Sequence, residues 1–247
     1  ANLLLQRQGP MQAAVNRFEA SMTNADLEET TRADLKAEAD VLQAVAETHA
    51  DRTENVDGLV AEAMSRPDTL HPRVPGVAGN IAAFAAIYRF DFDTAHRLLD
   101  WASPYNEMMG PFSTVYGRCY GGIADRYRLD IPAALTNFRD AFEIAGGVGP
   151  HSHAVRLAGA LLGQLLYETG DLAEATRLLE ESYQFGSEGG GVDYLAARFV
   201  IGARIRALHG DRSAAKKRLD AGMDASQRLW LPRLAAAVNN AQIQLRI

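Results

Sequence analysis

His151 and His153 flank Ser152 beside a glycine-rich stretch, and a His-x-His pair is a pattern that metal sites use. On a helix the two side chains diverge by about 200°, and no acidic or cysteine partner stands near them in sequence, so the pair does not read as a metal site. Ser152 beside a histidine lacks the local carboxylate that would orient a hydrolytic triad. Cys119 is the single cysteine, which excludes an intrachain disulfide and a Cys-rich zinc site; it reads as a small, partly buried residue. Gly189, Gly190 and Gly191 are followed by Val192 and Asp193 and not by the Lys and Ser/Thr of a phosphate loop, so they read as a flexible connection between helical units. Arg212, Lys216, Lys217 and Arg218 crowd one helical stretch and read as a solvated outer face. There is no Gly-x-x-x-x-Gly-Lys-Ser/Thr run, no protein-kinase glycine loop and no His-Arg-Asp motif. The chain therefore presents no catalytic residue, no metal ligand set and no cofactor motif.

What remains is the chemistry of recognition. Asn80, Phe84 and Tyr88, then Tyr116, Arg126 and Tyr127, then Gln164 and Tyr167, and finally Arg204 recur at spacings that put them in one row along successive helices. The aromatics have the area to bury apolar ligand surface, and Arg126 and Arg204 offer planar donor forks to carboxylates or phosphates. The same aromatics at helical spacing also suit simple packing between neighbouring helices.

The row requires elements that repeat. At Thr169-Gly170-Asp171-Leu172 a helix stops and another starts, and the turn recurs at Pro10, Asp51, Asp91, Asp130, Asp171 and Asp211, with successive spacings of 41, 40, 39, 41 and 40. A fixed period in this range marks a repeat architecture whose stacked units bury one continuous core. Small residues recur where paired helices must approach, at Ala83, Gly122, Gly163 and Ala203 in first helices and at Ala14, Ala95, Ala134, Ala175 and Ala215 in second helices. Large apolar residues follow four places later at Phe18, Leu99, Phe138, Leu179 and Leu219. A second column, Pro111, Pro150, Asp193 and Pro232, marks the starts of first helices, where the missing proline N–H costs nothing. Residues 24–50 read as one long amphipathic helix with Asp26 and Glu29 in its first turn, and residues 66–76, rich in proline, as a possible hinge.

The expected fold is all-α: a right-handed superhelical solenoid of about six helix-turn-helix units of about 40 residues, forming one domain over 1–247. With 247 residues and 47% hydrophobic content the chain can bury a large core without splitting. A net charge of −6 argues against direct nucleic-acid contact, and no long uncharged apolar run or basic leader argues for membrane insertion or export, so a cytoplasmic location is expected. Ala1 stands just before a turn and Ile247 falls inside a first helix without its partner. This predicts a fragment of a longer polypeptide whose cut ends expose apolar faces open to self-association.

Leu162-Gly163, Leu166, Gly170, Ala175 and Leu179 together resemble a tetratricopeptide repeat. No tryptophan precedes Leu162, Leu166 replaces the usual tyrosine, no closing proline is present, and the unit is longer than the usual 34 residues. Units of this length with Gly-rich connections resemble the helical-repeat sensor region of MalT-like, LuxR-type bacterial ATPase regulators, over most of residues 74–247. The texture is particularly similar to the carboxy-terminal tail of actinobacterial serine/threonine protein kinases that join a kinase to such a regulator-like region. The resemblance implies a regulatory or sensor domain that binds a protein partner or small-molecule effector and controls an attached kinase or ATPase-type transcriptional regulator. The alternative is a free-standing scaffold that bridges proteins.

Overall fold

A computed structural model describes residues 8–24, 26–149, 151–184 and 191–247, and every regular element among them is helical. In chain order these are α1 (Gln8–Asn24), α2 (Glu29–His49), α3 (Val56–Ser65), a 3-10 turn (Pro67–Thr69), α4 (Arg73–Tyr88), α5 (Phe92–Met109), α6 (Pro111–Tyr127), α7 (Ile131–Val148), α8 (His153–Thr169) and α9 (Leu172–Gln184). There follow α10 (Val192–Ala196), a π turn (Ala197–Ile201), α11 (Gly202–Leu208), α12 (Arg212–Leu229) and α13 (Pro232–Leu245). From α1 to α9 each helix packs on the next in sequence, α9 packs on the π turn and α11, and α2, α4, α6 and α8 also pack each on the next of their own row, which is the contact pattern of stacked helical hairpins.

The turn column has a physical cause. Asp91, Asp130 and Asp211 cap α5, α7 and α12 by accepting from the backbone N–H three residues on, and Asp171 does the same for Glu174 at α9. The residue before each cap is left-handed: Gly170 and Gly210 adopt it freely, while Phe90 and Leu129 adopt it against the clash of their own Cβ. Asp51 departs from the column. It is itself left-handed and caps nothing, because α3 does not begin until Val56. Pro10 lies within α1, and the residues before α1 are outside the described ones.

The small-residue column sets how closely each hairpin closes. A Cβ built on Gly122 would stand 2.5 Å from the Phe138 ring, and one on Gly163 would stand 2.9 Å from Leu179, so at these two sites any larger side chain collides with the partner helix. Ala95, Ala134, Ala175 and Ala215 are fully buried opposite them, and Phe138, Leu179 and Leu219 fill the core between units. Ala14 breaks the column, being exposed on α1. Two apolar clusters meet on α4. One face carries Ala78, Ile81 and Ala82 to the α2–α3 side, and the other carries Ala83, Phe84 and Ile87 into the main core that runs on to Ala241.

Several boundaries differ from the sequence expectation. The stretch 24–50 holds one long helix, α2, which starts at Glu29 rather than at Asn24 and so leaves Asp26 outside it. Pro111 and Pro232 open α6 and α13 as expected, but α8 opens at His153 with Ser152 as its cap, its hydroxyl accepting from the Val155 N–H at 3.3 Å. Pro150 and residues 185–190, including Gly189 and Gly190, lie outside the described residues. The segment 66–76 is tied to α2 by the ion pairs Arg66–Asp34 and Arg73–Glu38. Among the described residues no helix is long and apolar enough to cross a membrane.

Candidate recognition surface

The row of first helices places the expected residues in very different surroundings. Phe84 is buried in an aromatic cluster, its ring 4.5 Å from Tyr88 and 5.1 Å from Tyr120. Asn80 is turned into its own hairpin, where it exchanges two side-chain hydrogen bonds with Asn106 of α5, at 3.1 and 3.0 Å. Both amides are nearly inaccessible, so the pair satisfies its own polar groups and offers none to a ligand. Asn80 thus departs from the groove expected of it, because the buried amide needs a partner and finds it across the helix pair.

Four of the other members, Tyr88, Tyr127, Arg126 and Gln164, converge on two carboxylates. Tyr88 and Tyr127 both donate to Asp193 of α10, the Tyr127 bond at 2.7 Å, and Asp193 is buried. Arg126 donates twice to Glu168, at 2.8 and 2.6 Å, and Gln164 donates to the same carboxylate at 3.1 Å. Arg126 also lies 5.5 Å from the Tyr127 ring centre. Tyr116 shares a 3.1 Å hydrogen bond with His153, and Arg204 donates to Gln244 of α13 at 2.6 Å. Tyr167 is half-buried against the core.

The electrostatics follow from these contacts. Burial, and then the negative charge of Asp193, push the Tyr88 and Tyr127 phenols up. Burial works against the Arg126 guanidinium, and the Glu168 pair outweighs it, so the net shift is upward and Arg126 stays charged. Burial alone pushes the Cys119 thiol up, which removes it as a nucleophile at neutral pH. His151 and His153 do not converge: His153 belongs to Tyr116 and His151 lines a cleft with Arg156 and Gln184. No group of three or more His, Cys, Asp or Glu that could hold a metal occurs among the described residues.

The basic stretch on α12 is not a solvated face throughout. Arg218 is 3% exposed, pairs with Glu180 at 2.9 Å and lies 3.9 Å over the Tyr183 ring; Lys216 pairs with Asp220 on the surface. A long guanidinium can lie over an aromatic ring and still reach a carboxylate, which periodicity alone does not reveal.

Two functional groups escaped the sequence reading. Asp193 stands in the helix-start column, where an acidic first-turn residue explains itself, and nothing local shows that two tyrosines 105 and 66 positions away would point at it. Arg233 opens α13, pairs with Asp51 and covers the Tyr88 ring at 3.5 Å. What stays accessible on this face is the edge of Tyr127, 38% exposed, together with parts of Arg126, Glu168 and Arg233. It is a surface of aromatic rings and paired charges.

The fold and this face define a chain of stacked helical hairpins. No protein-family model matches it. Over all 247 residues it is 64% identical to the serine/threonine-protein kinase PknK of Mycobacterium tuberculosis strain CDC 1551 / Oshkosh, and equally to PknK of M. tuberculosis strain H37Rv and of Mycobacterium bovis. The chain spans 22% of the length of these relatives, in their carboxy-terminal part. Among solved structures, NprR in complex with its cognate peptide NprX aligns over 98% of this chain and 80% of that one at 11% identity, with a TM-score of 0.39. At that score two helical chains share little beyond helical content.

Proposed function

We propose that this chain is the regulatory repeat region of a longer serine/threonine protein kinase, and that it receives a protein partner or a small effector on the first-helix face and passes its occupancy to the attached catalytic module. The observation that carries the reading is the 64% identity to PknK over the whole of this chain. The resemblance to the sensor region of MalT-like regulators points the same way, towards control of an attached module and, more finely, towards transcription regulation inside the cytoplasm.

The recognition surface in this reading is the partly accessible part of the row: Tyr127, Arg126, Tyr167 and Arg204, with Tyr88, Tyr116, Phe84 and Gln164 holding it from beneath. Tyr127 supplies a rigid apolar edge, and Arg126 and Arg204 are already extended by acceptors on neighbouring helices, so a peptide carboxylate exchanges for Glu168 or Gln244 at little ordering cost. Because Asp193 ties α4 and α6 to α10, a partner that prefers one arrangement of those helices biases the stack, and an effector shifts a conformational equilibrium only by its difference in affinity for the two states.

The test is phosphoryl transfer by the full-length kinase with and without this region. The expected result is autophosphorylation altered about threefold or more by the deletion, with a change in the same direction in Tyr127→Ala/Arg204→Ala. Equal rates in all three proteins overturn the regulatory reading.

A further inference from the structure

Arg198 stands in the π turn between α10 and α11 and is 2% exposed. One of its nitrogens, Nη2, donates to the Tyr183 carbonyl in the last turn of α9 at 3.1 Å, which fixes the guanidinium in place. Its Nε and Nη1 are buried and meet no acceptor among the described residues. Among the described residues no carboxylate pairs with it: burial pulls its pKa down, and the other groups that act on it are the Tyr194 and Tyr183 side chains and two further cations, Arg156 and Arg218. Removing a charge from water costs several kcal/mol in general, and natural chains keep such a group where something anionic compensates it.

A place for the compensating group adjoins it. Arg198 lines a cleft of about 390 Å³ with Tyr183, Gln184, Phe199, Asp224 and Arg228, away from the first-helix row described above. The charges around the cleft are unbalanced. Glu180 serves both Arg206 and Arg218, Glu181 shares Arg177 with Glu174, and Asp224 is the one acid among the described residues lining the cleft. The cleft carries two guanidiniums against one carboxylate, and clustered guanidiniums beside aromatic rings are a common setting for phosphate recognition. A π turn is an irregularity of the kind that helices retain at working sites.

We propose that Arg198 anchors a phosphoryl-binding site in this cleft, with Arg228 as its outer guanidinium, taking either free phosphate or the phosphorylated side chain of a peptide. The site is independent of the regulatory reading: it stands or falls on binding by this chain, whatever module is attached.

The experiment compares thermal unfolding of the chain in potassium phosphate and in potassium chloride at matched ionic strength, for the wild type, Arg198→Met and Arg228→Ala. Phosphate should raise the wild-type Tm by about 3–8 °C at saturation. Arg198→Met should fold at least as stably as the wild type in chloride, since it removes a buried unpaired charge, and should weaken phosphate binding by about tenfold or more. Should Arg198→Met fail to fold, Arg228→Ala decides, because its side chain is exposed and its loss should weaken phosphate by about threefold without harming the fold. A phosphoserine peptide, its unphosphorylated form and its glutamate form then separate the sources: tighter binding of the phosphoserine peptide than of free phosphate assigns the site to a phosphorylated segment, and the reverse assigns it to the free ion. An equal Tm rise in the wild type and both variants, or glutamate peptide binding as tightly as phosphoserine, overturns the proposal.

Discussion

Arg233, in the first turn of α13, pairs with Asp51 in the turn after α2, 182 positions earlier in the chain, while its guanidinium carbon lies 3.5 Å from the centre of the Tyr88 ring. The face formed by the first helices is therefore bridged from its beginning to its end by one side chain. Asp51 is left-handed and its side chain is 2% exposed in this arrangement, so the residue that breaks the capping column is the one that holds the far end of the stack.

This pairing should show as coupling. Asp51→Ala and Arg233→Ala are each expected to cost about 1–3 kcal/mol, and the double variant less than the sum, with a coupling energy of about 1 kcal/mol or more in a double-mutant cycle of urea unfolding. Arg233 is 41% exposed, so solvent screening keeps the figure below that of a fully buried pair. Strict additivity would mean that the bridge contributes nothing.

Hairpin closure gives a second expectation. Gly122→Ala places a methyl against Phe138, and Ala175→Leu overfills a fully buried site; each should lower stability by about 1–3 kcal/mol without changing the helical circular dichroism spectrum. A neutral Gly122→Ala would show that the Phe138 ring moves aside freely.

The strained turn residues invert the usual rule. Leu129 and Phe90 adopt positive φ and are 81% and 74% exposed, so their apolar side chains gain little by burial. Leu129→Gly is expected to change stability by less than about 1 kcal/mol in either direction, relief of left-handed strain offsetting the extra freedom of the unfolded chain. Asp211→Ala, which removes a cap from α12, should cost about 1 kcal/mol in the same assay. A larger loss from Leu129→Gly than from Asp211→Ala would assign the leucine a packing role that its exposure does not show.

Alkaline pH supplies a fourth test. Tyr88, Tyr116, Tyr120 and Tyr127 all have folded pKa values raised above the ordinary phenol range, first by burial, so the folded state disfavours their phenolates. Their contribution to stability is fully present below pH of about 10 and is lost as pH rises through the folded values. Absorbance titration should show these four of the eight tyrosines ionising late, together with unfolding, and Asp193→Asn should bring Tyr127 to lower pH. Eight phenols titrating together near the ordinary value, in a chain that remains folded, would contradict the network.

Periodicity made the architecture legible. Gly170 and Asp171 carry the turn chemistry in their own residue types, and Gly122 and Gly163 announce close helix contacts, because local backbone demands leave local marks. The face was legible as a row but not as a network. Tyr88 and Tyr127 are visible from spacing, whereas Asp193 and Arg233 reach them only through the packing of helices far apart in the chain, which no window of sequence contains. Arg218 was misread for a related reason: Tyr183 and Glu180 come to it from α9, 35 and 38 positions away in the chain.

The central claim, that the first-helix face receives the partner, is tested most directly by site-specific photo-cross-linking in the full-length protein within its native host. A photoreactive residue replacing Tyr127 or Tyr167 is compared with one replacing Lys217 on the opposite layer, all three in proteins of equal melting temperature. The account predicts a discrete cross-linked partner from positions 127 and 167, lost when Arg204→Ala is added, and none from 217. Cross-linking from 217 with none from 127 or 167 would place recognition on the second-helix layer and leave Tyr88, Tyr127 and Asp193 as packing alone.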